Sequence, residues 1–308
     1  MPLCTLHLVR LDSGTTIRGF LIQLLRHASS SEAGQGFRVV TASQVRHPVV
    51  LATRLDSTLL NSTMWDLVVL LAPIPSTSTS TSTSAPPPTT FPAALEEQLA
   101  AHYTVVTGVP SKLVDGYSET TRRLNAAQSP PLTALGSPPS TTPPSRSTAT
   151  EKTVSSSQNL ELSPTLLDFA YRLRQHLGHA GSVTMLNLMH FHSTPGAMES
   201  YHRYGQGFAT VGGSKGGNAK IVGVVVPPPA QSSYDSRGDR QRAKQDWWNE
   251  CSLVHYPSID HFCDMAADPE YQRINAEHRL GALRDTTLIC TTEIDLEALA
   301  GDSASSTL

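Results

Sequence analysis

Hydrophobic and polar positions alternate along this chain in two blocks, each reading strand, helix, strand, strand, helix, strand. In residues 3–11, apolar positions alternate with Thr5, His7 and Arg10, the period of a half-buried strand. Thr15 and Thr16 can cap a helix through His27, whose Ile17, Phe20, Leu21, Leu24 and Leu25 follow the helical period. Residues 37–42 and 45–53 read as strand material, with Pro48 at a bulge or an edge. Residues 65–72 form a continuous apolar run, as in a strand buried on both faces. A helix over residues 92–102, a strand over 103–107 and a helix over 112–126 end the block.

The second block opens on Ser163-Pro164, an N-cap followed by proline in the first turn, and a helix to residue 177. Residues 183–189, 220–226, 247–256 and 287–294 read as strands. The pair Gly212-Gly213 reads as a turn from helix into strand that needs positive φ. A four-stranded antiparallel sheet with helices on one face leaves its other face bare, and two such units can bury those faces together. The expected fold is therefore α+β: two ferredoxin-like units packed sheet to sheet as a pseudo-dimeric α/β barrel in one chain. The expected boundaries are 1–126 for the first unit, with a disordered Ser/Thr/Pro insertion at 75–91, and 127–160 for a low-complexity linker. The second unit spans 161–298, followed by a disordered tail at 299–308.

Composition adds limits. Of 308 residues only 39% are hydrophobic, and serine, threonine and proline concentrate in residues 76–88 and 129–157, which cannot form a core. The net charge is −3 with both signs scattered, so no basic face marks a nucleic-acid partner. Cys4, Cys251, Cys263 and Cys290 form no C-x-x-C pair, which fits a reducing compartment. No apolar run approaches the ~20 residues of a membrane span. The first apolar run is short, contains His7 and follows no basic segment, unlike a signal peptide. The expected chain is soluble, cytoplasmic and monomeric, its barrel closed within itself.

Residues 182–295 carry a further pattern: Tyr201-x-x-Tyr204, Gly212-Gly213, Trp248 in a strand ending Tyr256-Pro257-Ser258, then Asp268-Pro-Glu-Tyr271 and Arg279. This stretch resembles the dimeric α/β-barrel superfamily and, within it, a widespread small family of unassigned function. The superfamily spans cofactor-free monooxygenases, decarboxylases, isomerases, haem proteins and members with no known activity, so the resemblance implies a fold without choosing a reaction. The polar insertion at 227–245 departs from the small family and reads as a solvated loop.

Candidate chemistry centres on histidine and tyrosine. His190 and His192 flank Phe191 at a strand end, where residues two apart share a face. Imidazole suits acid–base work at neutral pH and can also ligate a metal or haem, but no third ligand follows at a diagnostic spacing. A phenol at Tyr204 can donate to a substrate carbonyl. Along 250–256, Glu250, Ser252, Val254 and Tyr256 share one face and Cys251, Leu253 and His255 the other. Glu250 or His255 therefore faces the helices. Arg279 suits a salt bridge to Glu270 or Glu277, or a bidentate grip on a substrate carboxylate. Trp248 supplies bulk at a cavity entrance or between the units.

The reading is a cofactor-independent enzyme acting on a small, largely apolar metabolite in a cavity between sheet and opposing unit. His190, His255 and Tyr204 are its catalytic candidates, with Arg279, Trp248 and His192 for substrate binding. No metal and no cofactor is called for. The alternative is a non-catalytic small-molecule binder or scaffold.

Overall fold

The computed structural model describes residues 1–29, 36–74, 89–135, 158–227 and 246–305. Residues 76–84, 136–157 and 228–245, which carry the low-complexity segments and the polar insertion, lie outside the described residues. The first half runs β1 (Leu3–Leu11), α1 (Ile17–Ser29), β2 (Phe37–Val50), α2 (Ser57–Ser62), β3 (Leu67–Pro73), α3 (Ala93–Glu96), β4 (Leu99–Gly108), α4 (Ser111–Asp115) and α5 (Tyr117–Ala126). The second runs α6 (Pro164–Gln175), β5 (Val183–Phe191), α7 (Ala197–Ser214), β6 (Asn218–Val225), β7 (Glu250–Tyr256), α8 (Ile259–Ala267) and α9 (Pro269–Ile274). A π-helical turn (Asn275–Arg279), β8 (Leu283–Glu293) and α10 (Leu296–Ser305) follow.

Each half has the ferredoxin-like strand order: β4-β1-β3-β2 in the first and β8-β5-β7-β6 in the second, all pairs antiparallel. The expectation of two units in one barrel holds. The sheets bury their inner faces against each other, and their edges also join through β2–β8 and β4–β6 into one closed eight-stranded sheet. Closure removes the free edges that would otherwise template pairing with other chains. The β2–β8 seam extends from Ser43↔Glu293 to Val50↔Leu288 with register shifts at Val45/His47 and Pro48/Val50, so Pro48 sits at a bulge as expected. Among the described residues the β4–β6 seam pairs Thr107↔Val225 and Gly108↔Val224, and Val226 N adds a bond to Val106 O at 2.9 Å.

The inward faces pack together: Leu6, Leu8, Leu70, Tyr103 and Val105 meet Leu186, Leu188, Trp247, Trp248 and Leu253. Trp248 donates its indole N–H to Tyr103 Oη at 2.8 Å, and Tyr103 donates in turn to Asp56 Oδ2 at 2.8 Å. The interior is thus filled by aromatic and aliphatic side chains, each worth about 1.5–3 kcal/mol when fully buried. Near the β2–β8 seam, Lys220 and Glu293 form a buried ion pair. Glu293 Oε1 also accepts from Tyr117 and Thr184, each at 2.7 Å. Burial lowers the Lys220 pKa against the pull of Glu293, whereas at Glu293 burial is outweighed by Lys220 and the hydroxyl donors, and its pKa falls.

Two helix layers cover the outside. Phe20, Leu21 and Leu24 of α1 pack on Val9, Leu67 and Val69. On the other half, α6, α8 and α9 pack on β5, β7 and β8 through Phe169, Leu173, Phe262, Met265, Tyr271, Met185, Tyr256 and Leu288.

Three expectations change. The helix expected over 92–102 stops at Glu96, because from Leu99 onward the chain pairs with β1; sheet closure overrides a local helical pattern. Residues from 299 onward, expected as a disordered tail, continue α10 to Ser305. Asp295 caps that helix by accepting from Glu297 N and Ala298 N, and Leu299 is buried beside α1. Gly212 and Gly213 remain inside α7, and the positive φ falls at Gly216, +82°.

Candidate functional site

The strand β7 alternates as its sequence requires. Cys251 and Leu253 enter the barrel core, while Glu250, Ser252, Val254 and Tyr256 face outward beneath α7. Helix α7 lies close to the turn after α9, because a Cβ on Gly207 would sit 3.1 Å from Ile274 Cδ1. Asp268 caps α9 by accepting from Glu270 N and Tyr271 N, with Pro269 in the first turn. The π-turn then interrupts the helix, a device that re-aims side chains, and carries Asn275 and Arg279.

Between α7 and the outer face of this sheet is a cavity of about 540 Å³, within the ~300–1,000 Å³ usual for ligand sites. Its walls include Met185, Asn187, Val254 and Leu288 from the sheet, Tyr201, Tyr204 and Phe208 from α7, and Tyr271 and Arg279 from the α9 region. Leu160, at the end of the segment expected as linker, also lines it. The flanks of that segment are docked: Asp264 Oδ1 accepts from Ala134 N and Leu135 N, and Gln158 Nε2 donates to Leu51 O and Thr286 O.

Three groups give the cavity its chemistry. Glu250 stands on the wall with no hydrogen bond or ion pair among the described residues, and burial pushes its carboxyl up from 4.5 to about 7. Arg279 is 3% exposed; Nη1 donates to Gln158 O at 3.1 Å and to Asn275 Oδ1 at 3.4 Å. The carboxylates expected to pair with it, Glu270 and Glu277, are both held by Arg273, at 2.8 and 2.7 Å. The third group is phenolic. Tyr204 Oη and Tyr271 Oη share a hydrogen bond of 3.0 Å, and Tyr201 donates to Met189 Sδ, a weak acceptor. Burial raises the pKa of Tyr201, Tyr204 and Tyr271, so these remain O–H donors at neutral pH.

The structure does not bring His190, His255 and Tyr204 together. His255 and His190 share the inward side of the sheet, opposite Glu250, and Tyr204 lies outside on α7. His255 pairs with Thr184 at the start of β5, and His190 lies six residues further along, about 20 Å at strand rise. Both imidazoles are buried, and burial first, then Lys220, lowers His255 to about 4, a neutral ring at pH 7. His192 is exposed in the loop before α7, and its backbone N–H donates to Ala282 O. Trp248 packs between the two halves inside the barrel, away from the cavity wall. Of the sequence candidates, Tyr204 and Arg279 share the cavity. The residue the histidine-centred reading missed is Glu250, although the strand alternation set it on the face opposite His255.

The corresponding place in the first half is filled. His7 is the counterpart of Asn187, each midway along the central strand of its half. His7 contacts His102 Nε2 at 2.8 Å and Thr5 Oγ1 at 2.9 Å, with Phe91 packed 4.7 Å from its ring. Histidine and phenylalanine occupy there the space that is open beneath α7.

Fold and cavity together define a pseudo-dimeric α/β barrel with a pocket under the helices of its second half. No protein-family model matches the chain, and no curated protein matches it. Among solved structures it is similar to the RPA0582 protein of unknown function from Rhodopseudomonas palustris, 26% identical over 38% of this chain and 85% of that one, with a TM-score of 0.28. A "putative monooxygenase" from Lactobacillus acidophilus NCFM is 7% identical over 95% of this chain and 93% of that one, TM-score 0.40. A chlorite dismutase mutant from Candidatus Nitrospira defluvii is 8% identical over 97% and 94%, TM-score 0.40.

Proposed function

We propose that this chain is an enzyme that moves a proton on a small, largely apolar metabolite held beneath α7, with Glu250 as the acid–base group. The observation that carries the reading is the Glu250 carboxyl. It stands unpartnered among the described residues on the wall of an apolar cavity, with a pKa of about 7. A general base works best when its pKa lies near the working pH, and burial of a carboxyl is the ordinary way to reach that value.

The step is redox-neutral. Glu250 takes a proton from a carbon next to a carbonyl, and the C–H electron pair moves into the new C=C bond as the carbonyl becomes an enolate. The Tyr201 hydroxyl, bound only to sulfur, can turn to donate to that oxygen. The protonated Glu250 then returns a proton to the enolate oxygen, giving the enol isomer, or, after exchange with solvent, to the same carbon, giving back the ketone.

The test follows solvent exchange. Purified protein is incubated in D2O with 4-phenyl-2-butanone and with phenylpyruvate, and loss of the proton next to the carbonyl is followed by NMR. Wild-type protein accelerates exchange of at least one probe, with a single ionisation near pH 7. Glu250→Gln, correctly folded, loses about 10²–10⁴-fold of that rate. Equal exchange by wild type and Glu250→Gln, or none above buffer, overturns the reading.

A non-catalytic binder is the second reading, favoured by the same cavity: its phenols and guanidinium supply donors for a ligand without requiring any bond to break.

A further inference from the structure

Among the described residues, one permanent cation lines the cavity beneath α7. Arg279 is almost wholly buried, and only its Nη1 is used, by Gln158 O and Asn275 Oδ1. Its Nε and Nη2 have no hydrogen-bond partner among the described residues, and no carboxylate there forms an ion pair with it. A buried guanidinium left without an anion is costly, and one supplied by a ligand relieves that cost. The acidic residues that flank it in sequence are turned away onto Arg273, which stands three residues after Glu270 and four before Glu277. The π-turn places Arg279 in the cavity wall and leaves Arg273 outside on the same stretch of chain.

The rest of the lining sets the remainder of the ligand. No lysine is among the lining residues, so the site offers one full positive charge and does not suit a dianionic phosphate. Met185, Phe208, Val254, Phe262 and Leu288 present apolar surface. Planar Arg nitrogens match a carboxylate in a two-point grip.

We infer that the cavity takes an apolar monocarboxylate, its carboxylate on Arg279 and its hydrocarbon or aryl body against the sheet beneath α7. This substrate class rests on the proposed site, and it is read by binding alone, so it stands or falls separately from catalysis. In the proton-transfer reading it makes the substrate a keto acid or an enolisable acid.

The test compares 3-phenylpropionate with its uncharged counterpart 3-phenylpropanamide by calorimetry on the full chain. The wild-type protein binds the carboxylate at least about tenfold more tightly than the amide. Arg279→Met abolishes that preference and leaves both probes binding alike through their phenyl groups. Arg279→Lys retains part of it, because a point charge remains without the planar fork. Glu250→Gln keeps the preference even where it abolishes proton exchange, which separates failure of the catalytic reading from failure of this one. Equal wild-type affinities for the two probes, or an unchanged preference in folded Arg279→Met, overturns the inference. Should Arg279→Met fail to fold, the wild-type ratio of carboxylate to amide affinity decides the matter alone.

Discussion

Glu250 occupies in the second half the position that Leu67 occupies in the first: Met189 pairs with Glu250 across β5–β7 as Val9 pairs with Leu67 across β1–β3. Leu67 is part of a packed layer with Phe20, Leu21 and Phe91. Glu250 instead stands on the wall of the cavity. The two halves share a strand order and differ in what the outer face of that order holds.

This placement has a measurable effect on stability. The folded state holds the Glu250 proton to about pH 7, against 4.5 for the ordinary group. Its contribution is most favourable below about pH 4.5 and is lost as pH rises through 7, by up to about 3 kcal/mol. Glu250→Gln keeps the shape and removes the charge. Urea unfolding across pH 5–8 will show the variant gaining on the wild type as pH rises; parallel curves would contradict the buried carboxyl.

Histidine works in the other direction. Burial lowers His255, and likewise His102, to about 4 from 6.5, so the folded protein keeps both rings neutral. Their contribution is fully present above pH 6.5 and is lost as pH falls through 6.5 toward 4. His255→Asn, where folded, will flatten the acid limb of the stability profile and leave proton exchange at the Glu250 cavity unchanged. Loss of exchange in a folded His255→Asn protein would return the chemistry to the barrel interior.

The Lys220–Glu293 pair joins β6 to β8 inside the barrel, with Tyr117 and Thr184 donating to the carboxylate. Lys220→Met removes one charge and strands the other. The expected loss is about 3–5 kcal/mol in chemical denaturation, more than is lost when Glu293→Gln is added to it.

Tyr103 links Trp248 of the second half to Asp56 of the first. Tyr103→Phe leaves the indole N–H and the carboxylate without that partner and costs about 1–3 kcal/mol. The same substitution will change tryptophan emission, since Trp248 loses its hydrogen bond in a dry interior; an unaltered spectrum would contradict the contact.

Much of this architecture was legible in the sequence because it is local. Residues 3–11, 65–72 and 183–189 have the composition and period of strands, and Ser163-Pro164 marks a helix start that the structure keeps, with Ser163 Oγ accepting from Leu166 N. Closure into one barrel was expected from the pattern, but which strands meet at the seams was not legible, because they pair residues as distant as Ser43 and Glu293. The site was half legible. Alternation along 250–256 separated Glu250 from His255, yet nothing local says which face carries the cavity and which the packed core. Arg279 lay in the right region, but the choice between it and Arg273 for Glu270 and Glu277 turns on the π-turn, which rotates one arginine inward and leaves the other outside.

The unequal seams have a mechanical consequence. In a barrel made of two identical subunits both joints are the same by symmetry. Here one is a long bulged ladder and the other, among the described residues, a short catch around Thr107–Val225 and Gly108–Val224. Covalent tethering keeps the halves at high effective concentration, so the catch need not be strong. The ring therefore has a long joint and a short one, and parting β4 from β6 breaks fewer backbone pairs than parting β2 from β8.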